Sequence, residues 1–279
     1  MRFEVIVVSY GREKVLLESH AALRALYPEL PVCWGIQGTL SGEISAAVEA
    51  DPHLRLEHRE QPHITAALNQ CIRSSEADVV IMLDDDARPC PGWLEAFEAA
   101  FAAYPDAAYI MGREIRTRCH GLGGLLARGL LEAACRPFAP AEALSAGRLV
   151  GWINSAGLLL GNFDLPGVCL INAPRGCNLA LRRAAWERLG GFSEDFTGNQ
   201  WGFEVDFGLR ARHAGLKGIF WGAAMAVHDQ ESGGGTRAVR SWGSLRHAVH
   251  NHVQVNRHLG WCGWIGALPR LARAAWKGR

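Results

Sequence analysis

The run A-D-V-V-I-M-L-D-D-D-A-R-P, residues 77–89, decides how this chain is read, because an apolar stretch ends abruptly in three carboxylates. Ala77 to Leu83 is the most strand-like segment of the sequence, short and apolar. Three neighbouring carboxylates repel one another, and a divalent cation removes that conflict. Mg2+ or Mn2+ takes hard oxygen ligands and is commonly held by one or two carboxylates plus substrate phosphates. A strand delivering Asp84, Asp85 and Asp86 to its own end provides such a place. The competing reading is a solvated acidic turn, and spacing alone leaves both open.

Working outward, Phe3 to Val8 reads as a buried strand followed by Ser9, Tyr10 and Gly11. Lys14 to Leu26 has helical spacing and ends before Pro28. Val32 to Ile36 and Leu54 to His58 read as strands, and Ile44 to Ala50, Thr65 to Ser74 and Trp93 to Tyr104 as helices. Strands alternating with helices indicate parallel crossover units, whose ligands gather outside the carboxyl ends of the strands. That singles out Ser9 to Arg12 and Asp84 to Asp86. The Gly- and Ala-rich sequence from Gly121 to Gly161 carries no period that orders it. Beyond it, Ala180 to Leu189 reads as a helix stopped by Gly190 and Gly191. Val205 to His213 reads as another, stopped by Gly215, and Gly218 to Val227 as a strand leading to His228. There is no internal repeat.

Composition narrows the classes. The chain has 279 residues and 49% hydrophobic content, enough for a sizeable core. With 29 Lys plus Arg against 28 Asp plus Glu, the net charge of +1 gives no global pull toward nucleic acid. The eight cysteines form no C-x-x-C pair and many sit in apolar runs, so a reducing cytosol is the expected compartment. The N-terminal run lacks a signal-peptide h-region, and the longest apolar stretch, Leu149 to Phe163, falls short of the ~20 residues that span a bilayer.

Two further signals bear on chemistry. In G-F-E-V-D-F-G-L-R, residues 202–210, Glu204 and Asp206 fall at or near a helix N-terminus. Asp206 and Arg210 are four apart and can pair, so a capping or ion-pair role competes with a catalytic one for Asp206. Glu204 has no such local partner, which favours a general base. His228 ends a strand and precedes Gly233 to Gly235 and Arg237, an arrangement suited to a metal ligand beside a phosphate-contacting loop. A lone histidine is otherwise structural or simply exposed.

Taken in order, these residues resemble the family 2 glycosyltransferases over roughly residues 3 to 240. The resemblance rests on Ser9 and Tyr10 after the first strand, on the triplet Asp84 to Asp86, on R-G-C-N-L-A-L-R-R (175–183) leading into L-G-G-F-S-E-D-F (189–196), on E-V-D-F-G-L-R and on His228. It implies a GT-A fold, a Rossmann-like mixed, mostly parallel sheet flanked by helices. It also implies an inverting transfer of a hexose or deoxyhexose from a nucleotide-diphosphate sugar to a saccharide or lipid-linked acceptor, in cell-surface polysaccharide or glycolipid synthesis.

The residue roles follow from the same resemblance. Ser9, Tyr10, Arg12, Gln37 and Asn69 fall at the nucleotide, with Asp84 or Asp85 near its ribose and Arg237 near its phosphates. Asp84, Asp86 and His228 form the metal set, with Asp86 the foremost ligand and an exposed carboxylate retained for its charge. Glu204 takes the base position, with Asp206 next, while Phe203 stands where relatives carry another acid. Asn178 and Arg182 match a motif near donor sugar and acceptor, although an exposed helical face would suit Arg182 equally. Relatives usually carry Asp at the end of strand two, where this chain has Ile36 or Gln37. Relatives also carry an Asn-x-Gly and an Arg before the position of Asn69, where this chain reads Q-P-H-I-T-A-A-L-N, so that Gln61, His63 or Asn69 would rebuild the nucleotide contacts.

Two other classes compete. Nucleotidyl transfer also uses acidic metal sites but usually needs a Gly-rich basic loop, and G-x-x-x-x-G-K-[ST] is absent. A nucleotide-sugar-binding protein without turnover would suit the altered strand-two end and Phe203. In organisation, residues 1–118 read as a nucleotide-binding half, 119–240 as an acceptor-binding half and 241–279 as a C-terminal helical segment. In that segment Trp261, Trp264, Ile265, Leu268, Leu271, Ala272, Ala275 and Trp276 form an apolar stripe beside Arg270, Arg273 and Lys277. Such a helix lies in a membrane interface, on the inner face of the plasma membrane for a cytoplasmic protein, or docks on the core. Pro269 would start a second helix after a bend.

Overall fold

The computed structural model describes residues 1–116, 122–229 and 243–277. The first half is built of crossover units as the alternation implies. β1 (Phe3–Tyr10), β2 (Val32–Gln37), β3 (Leu54–Arg59) and β4 (Val79–Leu83) run parallel, connected through α1 (Glu13–Leu26), α2 (Gly42–Ala50) and α3 (Ile64–Arg73). After β4 come β5 (Ala87–Pro89), α4 (Trp93–Ala103) and β6 (Ala107–Arg116), then α5 (Leu122–Cys135) and two short ribbons within residues 144–160. The chain continues through β7 (Val168–Ile171), β8 (Asn178–Arg182), α6 (Arg183–Arg188), α7 (Phe203–His213) and β9 (Lys217–His228). It ends in α8 (Gly243–Asn256) and α9 (Trp264–Lys277).

Among the described residues the nine strands form one mixed sheet in the order β7-β9-β6-β8-β4-β1-β2-β3, with β5 on β9. Strand alternation sends neighbouring side chains to opposite faces. Ile6, Met82, Leu179 and Leu181 enter one core with Ile72, Phe192 and Phe207. Val5, Val7, Ile81, Leu83 and Ala180 enter the other with Leu16, Trp93, Phe97 and Phe101. Central strands buried on both faces read as continuous apolar runs, which is why VVIML was so legible.

The reading of Ala180 to Leu189 as one helix is corrected. Residues 178–182 are a strand, lying antiparallel between β4 and β6, and only Arg183–Arg188 is helical. Leu179 and Leu181 fill one core while Ala180 fills the other, a period of two that the short run hid among good helix formers. The register Asn178↔Leu83 matters for function, because it brings residues 176 and 177 alongside the acids that follow β4.

The C-terminal helices dock on the domain. Thr197 N–H donates to Asn251 Oδ1 at 2.9 Å, Gly266 N–H donates to Ala156 O at 2.7 Å, and the Arg270 guanidinium lies 4.9 Å from the Trp201 ring centroid. Arg270 therefore leaves the expected basic stripe, and α9 runs through Pro269 without starting again. Gly263 and Ala267 are buried, while Trp261, Ile265 and Leu268 are 91%, 57% and 63% exposed. Among the described residues no helix is long and apolar enough to cross a membrane.

Candidate functional site

At the carboxyl ends of β1, β2 and β4 the chain opens into a cavity of about 390 Å³. Its floor is apolar, with Ile6, Val8, Leu68 and Met82, and its rim carries Tyr10, Arg12, Gln37, His63, Asp84, Asp85, Trp201 and Glu204. A concave, mostly apolar site with a few convergent polar groups is the usual form of a small-molecule pocket.

The three acids do different things. Asp85 is 1% exposed; Ser9 Oγ donates to its Oδ2 at 2.6 Å, and Arg12 Nε donates there at 3.0 Å. Asp86 is 3% exposed, with Arg12 Nη1 at 3.1 Å from Oδ2 and His228 Nε2 at 3.0 Å from Oδ1. Arg12 thus offsets two buried carboxylates at once, a fork geometry that lysine lacks. The exposed charge expected of Asp86 belongs instead to Asp84, whose side chain is 45% exposed and lines the cavity. Loss of hydration, opposed by His228 and reinforced by Asp86 and Asp85, pushes its pKa up to about 6.

His228 stands at the centre of this edge. Its Nδ1 lies 2.7 Å from Glu114 Oε1, and its Nε2 lies 3.6 Å from Asp84 Oδ2. Burial alone pulls the imidazole pKa down, but hydrogen bonds to Asp86, Cys177 and Glu114 outweigh it and push it up to about 12. Glu114 is itself clasped by Arg175 and, at 3.0 Å, by Arg116. Among the described residues one group of candidate metal donors forms, Asp84, Cys177 and His228, with ligand atoms all within 4.8 Å of one another. A carboxylate oriented by Arg and a histidine oriented by carboxylate on its far nitrogen are the ordinary supports of a metal ligand set. The residues present therefore fit a divalent ion.

Glu204 enters the cavity from the opposite side. Gly202, at φ 99°, turns the chain into α7, and Glu204 sits in the first turn. Its Oε1 accepts from Gly176 N–H at 3.2 Å, and a Cβ at position 176 would lie at that same distance from it, so glycine there permits the approach. Loss of hydration, only partly offset by backbone N–H groups, pushes the Glu204 pKa up to about 7.

Other expected residues have structural work. Asp206 is buried between Arg210 Nε at 2.8 Å and His258 Nε2 at 2.8 Å, outside the cavity, so the ion-pair reading holds for it. Asn69 clasps the Phe192 backbone in both directions, at 2.8 and 3.0 Å, instead of facing a nucleotide. Asn178 accepts from Trp93 Nε1 and donates to Arg113 O and Ala224 O. Arg182 caps the other end of β8 against Ala107 O and the Phe101 ring, on the sheet edge away from the cavity. Of the residues considered for nucleotide contact, Gln37 and His63 line the cavity, with Gln37 Oε1 accepting from the His63 backbone N–H, while Gln61 is exposed. Arg237 lies outside the described residues. Glu114, Cys177 and Trp201 were missed.

Residues 4–128 match the model of the family described as Glycosyl transferase family 2. No curated protein matches. Among solved structures, the crystal structure of GalNAc-T7 with UDP, GalNAc and Mn2+ superposes with a TM-score of 0.63 at 12% identity. That match covers 89% of this chain and 47% of that one, so this chain spans about half its length. The mannosyltransferase PcManGT from Pyrobaculum calidifontis, in complex with GDP-Man and Mn2+, gives 0.58 at 19% identity over 98% of this chain and 73% of that one. What these structures share with this chain is the GT-A fold, a mixed, mostly parallel sheet between helices. The family match covers just under half of the chain, and the order of the motifs beyond it resembles the same family.

Proposed function

We propose that this chain transfers a sugar from a nucleotide-diphosphate donor to an acceptor hydroxyl with inversion at the anomeric carbon. The observation that carries the reading is Glu204, a backbone-anchored carboxylate with a pKa of about 7 that shares one cavity with Asp84, Asp85 and Tyr10. A base poised near the working pH takes a proton efficiently and is ionised often enough to do so. Glu204 removes the acceptor hydroxyl proton as that oxygen attacks the anomeric carbon. Tyr10 and Val8 offer a surface to the nucleoside base, and Arg12 fixes the acids that flank its ribose. Trp201 borders the same space and suits packing against a sugar ring. Asp84 and His228, with Asp86 beside them, would hold a divalent ion, which would supply electrostatic stabilisation for charge on the departing diphosphate. The Mn2+ in both similar structures is consistent with that cofactor.

The acceptor is proposed to be saccharide or lipid-linked. Exposed Trp261, Ile265 and Leu268 on the docked C-terminal segment suit peripheral contact with a membrane surface that presents it. The test is a panel of nucleotide sugars and acceptors, assayed for transfer and for anomeric configuration by NMR. A product retaining the donor's configuration would remove the single-base mechanism.

A further inference from the structure

We infer that Cys177 is a ligand of the metal site, and that the site therefore selects a borderline transition-metal dication such as Zn2+ over Mg2+. This rests on the proposed function only in taking a divalent ion to bind at this strand edge. The acidic triplet alone suggests an all-oxygen site, but the geometry takes most of those oxygens away. Both oxygens of Asp85 are engaged by Arg12, with Ser9 on one of them, and Asp86 Oδ2 accepts from Arg12. Asp84 is the one carboxylate of the triplet that is not buried, and it faces the cavity.

What joins Asp84 is nitrogen and sulfur. The antiparallel register Asn178↔Leu83 sets Cys177 across from Asp84, and the donor atoms of Asp84, Cys177 and His228 lie within 4.8 Å of one another. The 3.6 Å between His228 Nε2 and Asp84 Oδ2 is close to the roughly 3.4 Å expected for two ligands of one tetrahedral ion. Glu114 fixes the imidazole from behind at 2.7 Å, the support a ligating histidine normally has. Cys177 shares an apolar cluster with Cys33, Cys71 and Cys169, but among the described residues it is the cysteine of that cluster whose sulfur also lies within ligand distance of a histidine and a carboxylate.

An oxygen, nitrogen and sulfur set is poorly matched to Mg2+ and well matched to borderline ions, and three protein ligands leave a position for a donor phosphate. As the metal–sulfur bond forms, the thiol proton passes to solvent and the sulfur lone pair becomes the bonding pair, so no oxidant or reductant is needed.

The full chain is titrated with Co2+, read by absorption, and with Zn2+ and Mg2+, read by calorimetry. The native chain is expected to show a near-ultraviolet sulfur-to-cobalt charge-transfer band and to bind Zn2+ at least roughly tenfold more tightly than Mg2+. Cys177→Ser is expected to lose the band and roughly 10- to 100-fold of Zn2+ affinity, with Mg2+ affinity little changed. X-ray absorption on the Zn2+-loaded native chain, which needs no substitution, should show a sulfur scatterer at about 2.3 Å. Co2+ binding without the band, a band unchanged in Cys177→Ser, or a purely oxygen and nitrogen shell would each overturn the inference while leaving a divalent site in place. Failure of any divalent ion to bind would bring down the metal-dependent function as well.

Discussion

Asp84 and Asp86 are two residues apart in one acidic triplet, and their substitutions should behave differently. Asp86 is buried against Arg12 and His228, so Asp86→Ala takes one carboxylate partner from each, leaving them to Asp85 and Glu114, and should destabilise the fold by about 3 kcal/mol, since breaking a buried ion-pair network is strongly destabilising. Asp84 opens to the cavity, so Asp84→Asn should cost under about 1 kcal/mol and still abolish metal-dependent donor binding. Urea unfolding and calorimetry on the two variants check this pair; equal destabilisation would mean that the acids are not divided as described.

Glu204 makes a pH prediction at the same scale. Its folded pKa of about 7 lies above the ordinary 4.5, so the folded chain holds this proton more tightly than the unfolded one. Stability from this group is full below about 4.5 and is lost as pH rises through about 7. Glu204→Gln should therefore gain melting temperature relative to the native chain on going from pH 5 to pH 8. Turnover needs the ionised carboxylate, so it should rise with pH through about 7 in the native chain. In the variant it should fall by roughly 10²-fold while donor binding survives. A native profile flat between pH 6 and 8 would move the base elsewhere.

At the scale of elements, β8 explains most of what the sequence hid. The parallel half was legible because each strand is a short apolar run between helices with ordinary stops, and Asp84 and Glu204, which line the cavity, stood out because three adjacent carboxylates repel one another and because Glu204, unlike Asp206, has no local partner. Leu179, Ala180 and Leu181 are neutral to either reading, and only pairing partners far away in sequence make them a strand. Without that strand there was no register, and without the register nothing set Cys177 opposite Asp84. Glu114 was hidden similarly, because only β9 lying beside β6 brings His228 to it.

The C-terminal element carries its own test. One face of α9 and the turn before it is docked, so Ile265→Ser with Leu268→Ser on the exposed face should change stability within about 0.5 kcal/mol per site. Sedimentation with anionic vesicles at low salt should show the full chain bound and this variant bound roughly tenfold more weakly, as expected when buried apolar side chains drive attachment. If both remain in solution, the exposed stripe has another purpose.

Across the whole molecule, the sheet gathers residues from distant segments to one edge. Ser9 and Arg12 come from the first crossover, Asp84 to Asp86 from the middle of the sheet, Glu114 and Cys177 from the strands beyond, and His228 from the end of β9. The central claim is that this edge transfers a sugar with Glu204 as base and a divalent ion at Asp84 and His228. The most direct measurement follows nucleotide release from a panel of nucleotide-diphosphate sugars, with acceptor and divalent ion each present or withheld, in the native chain and Glu204→Gln. The expected result is nucleoside diphosphate released with glycosylated acceptor, dependent on both additions and reduced roughly 10²-fold in the variant. Pyrophosphate release would indicate nucleotidyl transfer, and donor binding without turnover in the native chain would indicate a binding protein; either would contradict the claim.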